Sequence, residues 1–144
     1  MTRSQRLKRI VVLNEMQKTV AAQRLATTRG RCDDNLRKLE DFRRYREEYA
    51  RVLYHPGHLL NAVTARETLK FLSQLERTIN ALEALVTRSQ RECADDLAAW
   101  KREAQRASVL VEVLDRCLRN EHQLRESRLQ REIDDRPRSM LEIG

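Results

Sequence analysis

Steps of alternately three and four residues along the first third of the chain land on Leu7, Val11, Asn14, Lys18, Ala21, Leu25, Thr28, Cys32, Asn35, Leu39, Phe42, Arg46, Tyr49 and Leu53, and nine of these fourteen are apolar. That spacing draws one apolar stripe along a helix. Ile10, Leu13, Met16 and Val20 are expected to widen it near the start, and Leu36 in the middle. A second ladder runs through Leu72, Leu75, Ile79, Leu82, Val86, Ser89, Cys93, Asp96, Trp100, Glu103, Ala107, Leu110, Leu114, Cys117, Glu121 and Leu124, with twelve of sixteen apolar. Tyr54-His55-Pro56-Gly57-His58 separates the two. Proline pushes the residue before it out of helical geometry, and glycine tolerates the turn that follows.

The pattern therefore predicts helix one over about 5–54, a turn over about 55–63, helix two over about 64–136 and a tail over 137–144, all in a single domain. Thr64-Ala65-Arg66-Glu67 reads as a capping box opening helix two, with Asn61 as the competing cap. Gly30 costs about 1 kcal/mol relative to alanine inside a helix, and a mild bend is expected there. Two amphipathic helices joined by a short break fold back on each other. The fold class is all-α, a long two-helix antiparallel coiled coil, or α-helical hairpin, with an overhanging second helix. With the turn centred near residue 59, position i of helix one should face about position 118 minus i of helix two. Helix one is then used up by about residue 112, and an overhang of roughly 30 Å follows. Val113, Leu114, Cys117, Leu118 and Leu124 would lie on it, awaiting another protein or a second copy.

Composition supports long helices over a globular core: 35% of the 144 residues are charged and 4% aromatic, with three Gly and two Pro to punctuate them. The net charge of +7 attracts acidic partners, nucleic acid or anionic membranes. However, the 29 Lys and Arg are interleaved with 22 Asp and Glu, as on the solvated faces of a coiled coil. Arg3-Arg6-Lys8-Arg9 and Arg43-Arg44-Arg46 lack the dense basic block of a DNA-binding zipper. Cys32, Cys93 and Cys117 are odd in number and far apart, which reads as a reduced, cytoplasmic thiol protein with its cysteines in the seam. The apolar run behind the basic N-terminus is four residues, Ile10 to Leu13, too short for a signal peptide or a membrane span.

His55 and His58 form an H-x-x-H with no further ligand near in sequence, so no metal is expected. No phosphate-binding loop, dinucleotide motif, nucleophile elbow or zincin motif occurs, and two helices provide no pocket. The reading is of a protein that is not an enzyme and takes no cofactor or small-molecule substrate. Phe42, Tyr45, Tyr49, Tyr54 and Phe71 gather near the turn, where they either plug the end of the coil or form a docking tip, with Tyr45 and Tyr49 as candidates.

Four local patterns, in order, resemble the flagellar export protein FliJ family. Leu39-Glu40-Asp41-Phe42-Arg43-Arg44-Tyr45-Arg46-Glu47-Glu48-Tyr49 is similar to its Y-x-x-E-Y signature before the turn. Phe71-Leu72-Ser73-Gln74-Leu75-Glu76-Arg77-Thr78-Ile79 is similar to its F-[IL]-x-x-L-x-x-[AT]-I stretch. Trp100-Lys101-Arg102-Glu103-Ala104-Gln105-Arg106 and Gln130-Arg131-Glu132-Ile133-Asp134-Asp135 resemble its mid-helix and terminal motifs. The resemblance spans about residues 5 to 136.

The resemblance implies a cytoplasmic stalk of the flagellar type III export apparatus, at the cytoplasmic face of the inner membrane. Its implied partners are the hexameric export ATPase, the cytoplasmic domain of the membrane export gate and unladen export chaperones, and not nucleic acid. The family's gate-contacting face corresponds to Phe71, Leu75, Thr78 and Leu82; the first two match it, while Thr78 and Leu82 replace an Ala and a His. The Trp and Tyr that precede this face in the family are replaced by Ala65 and Thr68. For the ATPase, the resemblance points to the end where the termini meet, with Arg6, Arg9, Gln130 and Asp134 as candidates. The alternatives are the homologous stalk of a virulence type III secretion system, a basic nucleic-acid-binding coiled coil and a cytoplasmic substrate chaperone.

Overall fold

The computed structural model describes residues 2–54 and 62–136. The expected turn around His55, Pro56, Gly57 and His58, the alternative cap Asn61 and the tail 137–144 lie outside the described residues. The fold is all-α, a helical hairpin of α1, Arg3–Tyr54, and α2, Ala62–Asp135. Contacts divide it into an inner unit, Ala21–Trp100, and a terminal unit formed by the residues on either side of it in sequence.

In the inner unit the two helices run antiparallel, and their pairing is visible residue by residue. Asn35 donates from Nδ2 to the Ser89 hydroxyl at 2.8 Å, and both side chains are buried. Thr28 donates its hydroxyl to Asp96, while Arg43 reaches Glu83 at 3.0 Å and Arg31 reaches Glu92 at 3.7 Å. Leu39, Ile79 and Val86 form the buried cluster, with Leu36, Phe42 and Leu82 packed against it. Ile79 is completely shielded from solvent.

These pairs correct the expected register. Thr28 opposite Asp96 and Asn35 opposite Ser89 place each α1 residue about six positions further along α2 than a turn centred at residue 59 would. The physical reason is that interlocking polar side chains, and not the midpoint of the connection, select which seam positions meet. The start of α2 differs as well: the helix opens at Ala62, so Thr64 lies inside it, its carbonyl accepting a bond from the Thr68 hydroxyl.

The terminal unit follows the same logic with different chemistry. Thr2 caps α1, its hydroxyl accepting from the Gln5 amide at 3.3 Å while Gln5 Oε1 accepts from the Thr2 amide at 3.1 Å. This reciprocal arrangement is a capping box, and its T-x-x-Q signature is present in the sequence. The next free amide, that of Ser4, donates across to Glu121 Oε1 at 3.2 Å. A carboxylate at this place also answers the positive end of the α1 dipole.

Glu121 is thus the last α2 residue engaged by α1, which corrects the expected limit at residue 112. Val113, Leu114 and Cys117 are half-buried rather than bare, and every residue from His122 to Arg136 is exposed. The uncovered stretch of α2, residues 122–135, is about 21 Å long at 1.5 Å per residue. Ile10, Leu13, Met16 and Val20 do not widen the seam either: all four are exposed. In their place the terminal unit buries Ser4, Asn14 and Ala107, and the Asn14 Oδ1 atom has no hydrogen-bond partner.

Two predictions follow from this packing. Ser89→Ala leaves the buried Asn35 amide without its acceptor and should lower stability by about 1–3 kcal/mol. Gly30→Ala meets nothing within 4 Å of the new Cβ and should raise it by about 1 kcal/mol; urea denaturation reads both. Ser4 holds the Glu121 carboxyl below its ordinary value of 4.5, chiefly by hydrogen bonding against the opposing effect of desolvation, with Arg125 assisting. A depressed folded pKa means that the clasp stabilises above pH 4.5 and is lost as the pH falls through the folded value. Glu121→Gln should therefore lower the melting temperature at neutral pH, and the difference from the parent chain should shrink as the pH falls through the folded value.

Candidate functional site

The aromatic surface of the inner unit is built on two helical faces that the seam brings side by side. The Tyr49 and Phe71 rings meet at 4.6 Å and 61°, and Phe42 and Tyr45 at 6.0 Å and 89°, both edge-on. Edge-on contact sets the positive rim of one ring against the negative face of the other. Phe42 turns inward onto the Leu39 cluster, while Tyr45, Tyr49 and Phe71 remain 49%, 42% and 39% exposed. The arrangement is therefore partly a plug and partly an open surface.

The four positions aligned with the gate-contacting face occupy different environments. Phe71 and Thr78 are exposed, and Thr78 donates its hydroxyl to the Gln74 carbonyl at 3.0 Å. Leu75 is buried, and Leu82 packs against the core cluster. The exposed part of this face is therefore Phe71 and Thr78, while Leu75 and Leu82 belong to the seam. A shallow open depression beside Tyr49, Glu67, Thr68 and Phe71 extends the same surface.

In the terminal unit, Arg6 and Arg9 are exposed on α1. Gln130 and Asp134, on the uncovered part of α2, are joined to each other by a side-chain bond of 3.5 Å. Nothing on α1 meets that pair, since the engagement of the two helices ends at Glu121. The same unit carries an open groove lined by Arg3, Val113, Arg116, Cys117, Asn120, Glu121 and Leu124. It combines the Arg3 and Arg116 guanidinium groups and the Glu121 carboxylate with apolar walls.

The cysteines all fall on or beside the seam as free thiols. Burial pushes the Cys32 thiol up, with the neighbouring Cys93 and Asp33 adding to the effect, so its nucleophilic thiolate is scarce at neutral pH. Among the described residues no cluster of metal-ligating side chains occurs, and no helix is long and apolar enough to cross a membrane. Sequence reasoning placed Glu121 on the seam without seeing its role as a cap. The signal available was the Thr2-x-x-Gln5 box, which fixes where α1 starts and hence which amide is left for Glu121.

No curated protein and no solved structure matches the chain. The family model described as the flagellar FliJ protein matches residues 3–139, nearly the whole length, so the chain belongs to the FliJ family of flagellar type III export proteins.

Proposed function

We propose that this chain is a non-enzymatic cytoplasmic stalk of flagellar protein export, working at the cytoplasmic face of the inner membrane. Its terminal unit binds the hexameric export ATPase, its aromatic surface binds the cytoplasmic domain of the export gate, and it receives export chaperones that have released their cargo. The observation that carries this reading is the end of the seam at Glu121 while α2 continues to Asp135, exposing Leu124, Leu129 and Ile133. An isolated helix bearing such side chains gains from burial in a partner, at about 1.5–3 kcal/mol for each large side chain fully covered. A ring with a central opening offers that burial to a single helix. Arg6, Arg9, Gln130 and Asp134 stand at the ring contact in this reading.

At the gate, Phe71 is the main anchor, with Thr78 beside it and Leu75 and Leu82 behind. Tyr49 steadies the Phe71 ring through the edge-on contact, and Tyr45 extends the docking tip.

The ring contact is tested by the mass of the complex with the export ATPase, expected to show one chain per hexamer. Truncation after Arg125 should leave the helicity of the remaining chain intact and abolish that complex; undiminished ATPase stimulation by the truncated chain would refute the assignment. Phe71→Ala removes a ring that is 39% exposed and meets Tyr49 edge-on, so it should lower stability by about 1–3 kcal/mol and leave the helicity unchanged. Its affinity for the gate's cytoplasmic domain should fall about tenfold or more, as for a central aromatic anchor. Deletion of the gene should abolish swimming, and normal filaments in the deletion strain would remove the flagellar reading.

A further inference from the structure

Arg6, Arg9, Leu13, Met16 and Val20 recur on α1 at spacings of three, four, three and four, and so lie along one helical face. All five are exposed, Leu13 by 56% and Met16 by 61%. Leu7, Val11, Asn14 and Lys18, the seam positions of the same segment, are buried or half-buried. At 3.6 residues per turn the two faces point about 150° apart, so the exposed stripe runs along the side of α1 turned away from α2. It contains no acidic residue: Glu15 belongs to another face and lies 4.0 Å from Lys18.

An apolar strip in this position is a ridge. A partner helix seats best in a groove, where its side chains interdigitate with two walls, and a ridge provides one. A second copy presenting the same stripe would bring Arg6 and Arg9 against their own equivalents if parallel, or against Val20 and Met16 if antiparallel, and neither pairing supplies a carboxylate. A bilayer surface has neither difficulty, since it deforms around a ridge and offers phosphates to arginines that extend along the apolar side chains. We propose that this face of α1 docks on an anionic lipid bilayer, with Leu13, Met16 and Val20 entering the headgroup boundary and Arg6 and Arg9 on lipid phosphates. Apolar burial and basic charge together supply the two signals that stable surface binding requires. The proposal does not rest on the stalk reading; because Arg6 and Arg9 are also ring candidates, bilayer and ring are alternative occupants of this face.

The test is sedimentation of the full chain with vesicles of mixed phosphatidylglycerol and phosphatidylcholine, and with phosphatidylcholine alone. The chain should pellet with the anionic vesicles only. Leu13→Gln with Met16→Gln, which alters no charge and touches side chains already more than half exposed, should weaken that binding about tenfold with unchanged helicity. Arg37→Gln with Lys38→Gln, which removes two charges from the inner unit, should change it less than about twofold. Equal losses in the two double variants would show attraction by net charge alone and overturn the proposal. So would failure to pellet, including the case in which an acidic amphipathic peptide binds the stripe instead.

Discussion

Two polar pairs in the seam, Thr28 with Asp96 and Asn35 with Ser89, set the register of the inner unit. A seam of leucines alone gains nearly the same burial in several registers, because each heptad resembles the next. A buried amide or carboxylate is different, since a slip leaves it without a partner at a cost of about 1–3 kcal/mol. Asn35 and Thr28 are one heptad apart, as are Ser89 and Asp96. A slide by one full heptad would set Asn35 against Leu82 in one direction and Ser89 against Phe42 in the other, so either slip leaves a buried polar group without its partner. The flanking ion pairs, Arg31 with Glu92 and Arg43 with Glu83, are exposed and add little energy, but they agree with the same alignment.

Both helices were legible in the periodicity, and so was nearly every seam position. Tyr49 yields its place to Ala50, and Leu124 lies past the last engaged residue. The register was not legible from the length of the connection, because it depends on which polar seam residues satisfy each other in three dimensions. The same holds for the surfaces. Periodicity identified Ile10, Leu13, Met16 and Val20 as apolar, but an apolar residue near a seam can point into it or away from it. Leu75 and Phe71 show the converse: both were read from one motif, and only the fold separates the buried residue from the accessible one.

The two units bury their seams with different materials. The inner unit buries Leu25, Leu39, Leu75, Ile79 and Val86 alongside its polar pairs, whereas the fully buried described residues of the terminal unit are Ser4, Asn14 and Ala107. Small and polar side chains bury less apolar surface per residue, so the terminal unit is held more by specific bonds, the Thr2 box and the Ser4–Glu121 clasp, than by hydrophobic gain.

That distribution of the core also sets an order of assembly. Arg43 and Glu83, beside the apolar cluster, are 40 residues apart in sequence, while Ser4 and Glu121 are 117 apart. Closing the longer loop from an unfolded chain costs about 1 kcal/mol more in entropy, and it is rewarded by less burial. The cheaper and better rewarded contacts form first, and each pair formed shortens the loop left to close. The hairpin is therefore built to zip from its aromatic side toward its termini, with the clasp at Glu121 as its final stitch.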